Sequence, residues 1–390
     1  MQAQDERLYG LDWLRIGAFA LLILYHIGMF FVPWEWHVKT GRPLEWLELP
    51  MMAINPWRLT LLFVVSGFAS RILLSKVNGA RAFVRGRSLR LLLPLLAGMT
   101  LFVAPQPWAE LRAAGVVSDG FWTFWTRDYF RFGKLHALDL PTWNHLWFVA
   151  YLWVYTLALA LLAVLPAAAR STMQDLFDRL LTGRGLLAWP IVVLAAARIG
   201  LFPIFNETHA LVDDVYAHVV YGFAFFFGVG LARSGAAWAS IMANWRRALV
   251  IGAACYGLVV AIDMTIAGES GEIEPFVLRI ARSVQAWGVI VGLLGFARAR
   301  LNFDGPARRY LTEAIFPYYI AHQTIIVLVG YKLAPLGMGP STEFVIILAA
   351  TVAGCALTYE AGRRIGLLRP FIGLKPKPRD RSAAPAPATV

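Results

Sequence analysis

The chain has 390 residues, of which 58% are hydrophobic and 15% charged, and its mean hydropathy is +0.59. A water-soluble fold of this length cannot hide so much apolar surface, so lipid is the expected solvent and a soluble multidomain enzyme is excluded. The net charge of +12 would suggest nucleic acid in a soluble protein, whereas in a membrane chain it reflects basic loops on one side, so no nucleic-acid partner is expected.

In chain order, apolar runs between polar or Pro/Gly-rich breaks predict ten spans, at about 11–33, 55–74, 88–104, 146–166, 186–203, 212–232, 247–267, 276–297, 310–331 and 341–361. Each approaches the roughly 20 residues that an α-helix needs to cross a bilayer. The first run is not a secretory signal, because it is too long, contains Arg15 and His26, and is followed by no small-residue cleavage site. The predicted fold is therefore an all-α polytopic membrane bundle of about ten transmembrane helices, one integral domain over 1–371. Residues 372–390 form a basic, Ala/Pro-rich tail expected to be disordered.

Threading ten spans from an inside N-terminus gathers most of the 36 Lys and Arg residues on one side, including the run from Arg71 to Arg90 and the tail from Arg363. The opposite loops at 203–211 and 268–275 carry none. The positive-inside rule then puts both termini in the cytoplasm. The long outer segment 105–145 is rich in Trp and Phe, including Trp108, Trp122, Trp125 and Trp143. That suits a belt in the headgroup zone, or a platform on which sugar rings stack. Only Cys255 and Cys355 are present, so neither a disulfide framework nor a cysteine-based metal site is expected.

Ionisable groups at membrane depth are costly and mark functional candidates. Arg15 and His26 lie eleven residues apart on the first helix, close to three turns, so they share a face about 16 Å long. His322 stands at a similar depth on the ninth, with Tyr318 and Tyr319 a turn below and Gln323 beside it. Asn144-His145-Leu146-Trp147-Phe148 brings a third imidazole to the outer end of the fourth helix. Ser66 and Gly67 on the second permit close helix packing or entry of a thin ligand, and Arg71 follows. Each has a plainer reading: the histidines as interhelical hydrogen-bonders, Arg15 snorkelling to headgroups, and the run from Arg71 to Arg90 simply obeying charge asymmetry. The coincidence of His26, His145 and His322 near one depth favours function.

Arg15, ten residues and then His26 resemble the Arg-x10-His signature in the first helix of the membrane acyltransferase-3 superfamily. Ser66-Gly67-Phe68, Asn144-His145-Leu146-Trp147-Phe148 and Tyr318-Tyr319-Ile320-Ala321-His322-Gln323 are similar to its later blocks in the same order. Tyr25-His26-Ile27-Gly28-Met29-Phe30 and Asn55-Pro56-Trp57-Arg58 are most similar to a branch that places succinyl groups on periplasmic glucans. The resemblance implies a bacterial inner-membrane enzyme that moves a succinyl or acetyl group from cytoplasmic acyl-CoA, as donor substrate, to an extracytoplasmic glucan or polysaccharide. No bound cofactor and no metal are expected. On this reading His26, His322 and Arg15 are catalytic. Arg15, Ser66, Arg71, Arg85, Arg87 and Arg90 hold the donor, and Asn144, His145, Trp147 and Gln323 meet the acceptor. A transporter or flippase is the alternative that ten helices with a polar interior also suit, although no repeat between halves is visible.

Overall fold

The structure, a computed structural model, describes residues 8–266 and 276–376. The loop at 268–275 and the tail from 377 onward lie outside the described residues. Helix α1 (Tyr9–Phe31) is followed by α2 (Glu48–Lys76) and α3 (Gly79–Ala97), which passes through a π-turn at Gly98–Val103 into α4 (Pro105–Ala113). The one-turn α5 (Phe121–Thr123) precedes a small antiparallel hairpin, β1 (Gly133–Leu135) and β2 (Leu138–Leu140), which pairs Gly133 with Leu140. Then come α6 (Trp147–Ala163), α7 (Ala167–Leu180), α8 (Gly185–Ala196), α9 (Val215–Leu231), α10 (Gly235–Ile266), α11 (Phe276–Arg300), α12 (Pro306–Leu333) and α13 (Pro340–Arg364). Helices dominate because a bilayer offers no water to backbone donors and acceptors, and only a helix satisfies all of them within one segment.

All ten predicted spans are helical. Eight helices among the described residues are long and apolar enough to cross a membrane. A ninth span is bent: α7 and the segment Gly185–Leu201 meet at 98°. The tenth, α9, has only 17 residues, about 26 Å of helix. The sequence reading placed 170–184 in a basic loop, whereas most of it is helix α7. There Met173, Leu176 and Leu180 point outward on one flank, while Phe177 packs on Gly230. Several helices also start earlier than predicted. α2 begins at Glu48 and α3 at Gly79, so Arg81, Arg85, Arg87 and Arg90 are on helix rather than in a loop. Arginine is a good helix former, and its long side chain reaches a polar layer from a helical position, so hydropathy alone cuts such helices short.

Burial separates a centre from a rim. The apolar window of α11 is 67% buried, against 17% for α10 and 22% for α13, whose outward Val250, Leu258, Val352 and Leu357 form a lipid-facing surface. Helices α2 and α9 pack backbone to backbone. Gly67 faces the carbonyl of Phe225 and Gly228 faces that of Val64, leaving no room for a Cβ on either side. Gly67 is thus committed to helix packing. The aromatic segment after α4 carries its own small core of Leu111, Val117, Phe124, Tyr129 and Leu140, while Trp122 and Phe132 stay exposed. Beyond α13 the chain remains packed, with Ile372 and Leu374 buried beside Tyr359 and Ala314.

Candidate active site

Phe19, Leu22 and His26 repeat at intervals of three and four along α1, so they share one face. That face lines a cavity of about 110 Å³ completed by Arg58, Leu59 and Leu62 of α2, His145, Trp147 and Phe148, Tyr319 of α12, and His209 from the loop before α9. The three histidines that sequence depth singled out meet here. The His26 and His322 rings are nearly coplanar, 7° between planes with centroids 5.0 Å apart, and meet edge to edge, and the His145 ring lies 5.0 Å from that of His322, edge on.

Hydrogen-bond partners fix the neutral tautomers. His322 Nδ1 lies 2.7 Å from the carbonyl oxygen of Tyr319, which only accepts, so Nδ1 carries the proton and Nε2 the lone pair. That lone pair is 2.8 Å from His26 Nδ1, which must therefore donate. His26 Nε2 is left with a lone pair that has no hydrogen bond among the described residues, and His26 lines the cavity. His145 is bound at both nitrogens. Its Nε2 donates to the carbonyls of Tyr319 and Ile320 at 3.1 and 3.2 Å, and its Nδ1 faces Gln106 Nε2 at 3.5 Å. His145 thereby fixes α12 against α6, and the Tyr319 hydroxyl returns a bond to the His145 carbonyl.

Behind the imidazoles runs a connected polar network. Gln106 Oε1 accepts from Asn144 Nδ2 at 2.9 Å and from Gln323 Nε2 at 3.1 Å, while Gln106 Nε2 donates to Thr324. Gln323 also donates to His37 Nε2 at 3.0 Å, so His37 Nδ1 carries the proton given to Glu110 Oε2 at 2.5 Å. Asn144 adopts φ +40°, a left-handed conformation that Asn tolerates better than most residues. Trp147 stacks on His209 at 4.0 Å. His209 Nε2 donates to Glu207 Oε1, which also accepts from the Tyr221 hydroxyl. Burial pushes the Glu207 carboxyl up, but the bonds and charge of His209 and the Tyr221 hydroxyl outweigh that and hold it below its ordinary range.

The basic candidates lie elsewhere. Arg15 pairs with Asp12 at 3.8 Å, next to the buried Arg308 that bridges Asp12 and Asp304. It does not line the cavity, whose α1 lining is Phe19, Leu22 and His26. Arg71 sits at the far end of α2 within the electrostatic reach of Arg170 and Arg233. Arg87 points to Thr156 of α6 at 3.5 Å, Arg85 and Arg90 are exposed on α3, and Ser66 is half-buried. The sequence reading missed Arg58, His37, Glu110, Gln106, Glu207 and His209 as site residues. Arg58 was findable: an arginine in an apolar run is expensive by the same rule that flagged Arg15. Starting α2 at 55 hid it by placing it at a helix end.

A family profile described as an acyltransferase domain, that of the acyltransferase-3 family, matches residues 8–360. Among curated proteins, the chain is similar to the glucans biosynthesis protein C of Escherichia coli O6:K15:H31 strain 536, of strain SMS-3-5 and of O139:H28 strain E24377A. Each is 22% identical over 390 residues, covering 98% of either chain. No solved structure matches. With a profile match running through both the His26 and the His322 helices, the chain belongs to the membrane acyltransferase-3 family and is an acyltransferase.

Proposed function

We propose that this enzyme transfers a short acyl group, succinyl or acetyl, from cytoplasmic acyl-CoA to a hydroxyl of an extracytoplasmic glucan or other polysaccharide. It would do so across a bacterial inner membrane with both termini inside. The observation that carries this reading is the His26 Nε2 lone pair, unbonded among the described residues, on a side chain that lines the cavity and whose other nitrogen is tied to His322. The similarity to proteins named for glucans biosynthesis supports the acceptor class.

A sugar hydroxyl is a weak nucleophile until its proton is removed as it attacks. His26 Nε2 takes that proton while the oxygen bonds to the thioester carbonyl carbon. The C–S bond then breaks, and the departing thiolate takes the proton back from His26, leaving ester and thiol. During the step His26 is an imidazolium whose Nδ1 donates to the His322 lone pair, a charge-assisted bond that holds the ring in place. Arg15, Arg71, Arg85, Arg87 and Arg90 would hold the anionic nucleotide by bidentate contacts. The thin pantetheine arm would displace Phe19 and Leu22 to reach His26, and Asn144, Gln323 and Trp147 would orient the acceptor.

Purified protein incubated with labelled acyl-CoA and a glucan tests this. An acyl ester on the glucan, detected by mass spectrometry, is expected. Unmodified glucan in the presence of folded wild-type protein would overturn it.

A further inference from the structure

Arg58 stands ten residues into α2, about 15 Å along the helix, and is 6% exposed. Its guanidinium lies 3.4 Å from the centroid of the Tyr25 ring, and Nη1 donates to Asn55 Oδ1 at 2.5 Å. Nε is buried without a partner, and no ion pair forms with any described residue. Glu207 lies within its electrostatic reach, but that carboxylate is bonded to His209 and Tyr221. An amide oxygen and an aromatic face compensate a desolvated cation only in part. The site lacks one anion.

The missing anion has a place. Arg58 lines the same cavity as the free His26 nitrogen, and Leu59, Leu62, Leu22 and Phe19 supply apolar surface beside them. A base, an alkyl-lined stretch and an unpaired guanidinium match an acyl group with its reacting carbonyl at one end and a carboxylate at the other. The oxyanion formed during transfer is a weaker match, since it exists only in passing and leaves the cation uncompensated in the substrate complex. We propose that Arg58 is the specificity-determining residue for the acyl group, its guanidinium receiving the terminal carboxylate of a dicarboxylic acyl donor of about succinyl length. This rests on the acyl-transfer reading above and names the residue by which one class of acyl group is chosen.

The test sets succinyl-CoA against butyryl-CoA, which has the same chain length with methyl in place of carboxylate, in competition for one glucan acceptor. Wild-type protein is expected to favour succinyl transfer. Arg58→Gln is expected to lower the succinyl-to-butyryl ratio about 30-fold or more, chiefly by raising KM for the succinyl donor, and Arg58→Lys is expected to fall between. An equal loss for both donors, in kcat alone, would assign Arg58 to the transition-state oxyanion and overturn the proposal, as would a wild type indifferent to the carboxylate. Binding gives a readout free of turnover. Succinyl-CoA should raise the unfolding temperature of the wild type more than butyryl-CoA does, and this difference should vanish in Arg58→Gln; an unchanged difference in that variant overturns the proposal. Should no acyl group be transferred while the binding difference persists, the acyl-transfer reading falls and the carboxylate site stands.

Discussion

The two ends of α1 handle charge in opposite ways. Near its N-terminal end, Asp12, Arg15, Asp304, Arg308 and Arg309 form a chain of ion pairs, with the buried Arg308 held by two carboxylates. Near its C-terminal end, His26, His322, His145 and Arg58 meet carbonyls, amides, aromatic faces and each other, and no carboxylate among the described residues is bonded to any of them. Arg308, held by two carboxylates, ties α12 to α1 and has little left to offer a ligand. His26, whose Nε2 has no hydrogen bond among the described residues, and Arg58, which forms no ion pair with any of them, are the groups with chemistry to spare.

That contrast predicts a loss of chemistry at one end of the helix and of stability at the other. His26→Ala should reduce acyl transfer by about 10²–10⁴-fold while the protein remains folded in the membrane; wild-type ester yield from this variant would remove the proposed base. Arg308→Ala leaves two partly exposed carboxylates without their shared buried partner and should lower stability. Denaturant unfolding in detergent measures this, and an unchanged midpoint would mean that the N-terminal network is not structural.

Removing the supporting lone pair sharpens the active-site half. His322→Phe keeps a ring but no acceptor, and should slow transfer by about 10- to 100-fold, the worth of one hydrogen bond to a charged group. A loss as large as that of His26→Ala would make His322 an equal participant. Gly67→Ala forces a Cβ onto the Phe225 carbonyl and should cost about 1–3 kcal/mol. Its unfolding midpoint should drop even though Gly67 bears no chemistry.

The smallest effect is expected at Glu207. Because its folded carboxyl titrates below the ordinary carboxylate range, its contribution to stability is complete above that range. It is lost as pH falls through the lower folded value. Unfolding temperature followed into acid should therefore fall less steeply in Glu207→Gln than in wild type; parallel curves would show that the His209–Glu207 bond adds nothing to stability.

Much of the architecture was legible because hydropathy is a local property. The ten apolar runs became helices, and counting 1.5 Å per residue brought His26, His145 and His322 to one depth before any contact was known. Helix starts were the weak point, as at Arg58 and along Arg81 to Arg90, where cationic residues continue a helix that an apolar count ends. His37, Glu110, Gln106, Glu207 and His209 carried no signal, since they lie on loops and short helical segments where no periodicity assigns a face.

Sequence by itself determined the solvent, the helical class and the depth of the ionisable groups, because length and hydropathy add up residue by residue. Only the tertiary structure decided which nitrogen of His26 is unbonded and that Arg58 forms no ion pair among the described residues. Both depend on partners brought together by packing, His26 and His322 being 296 residues apart in the chain and 2.8 Å apart in space.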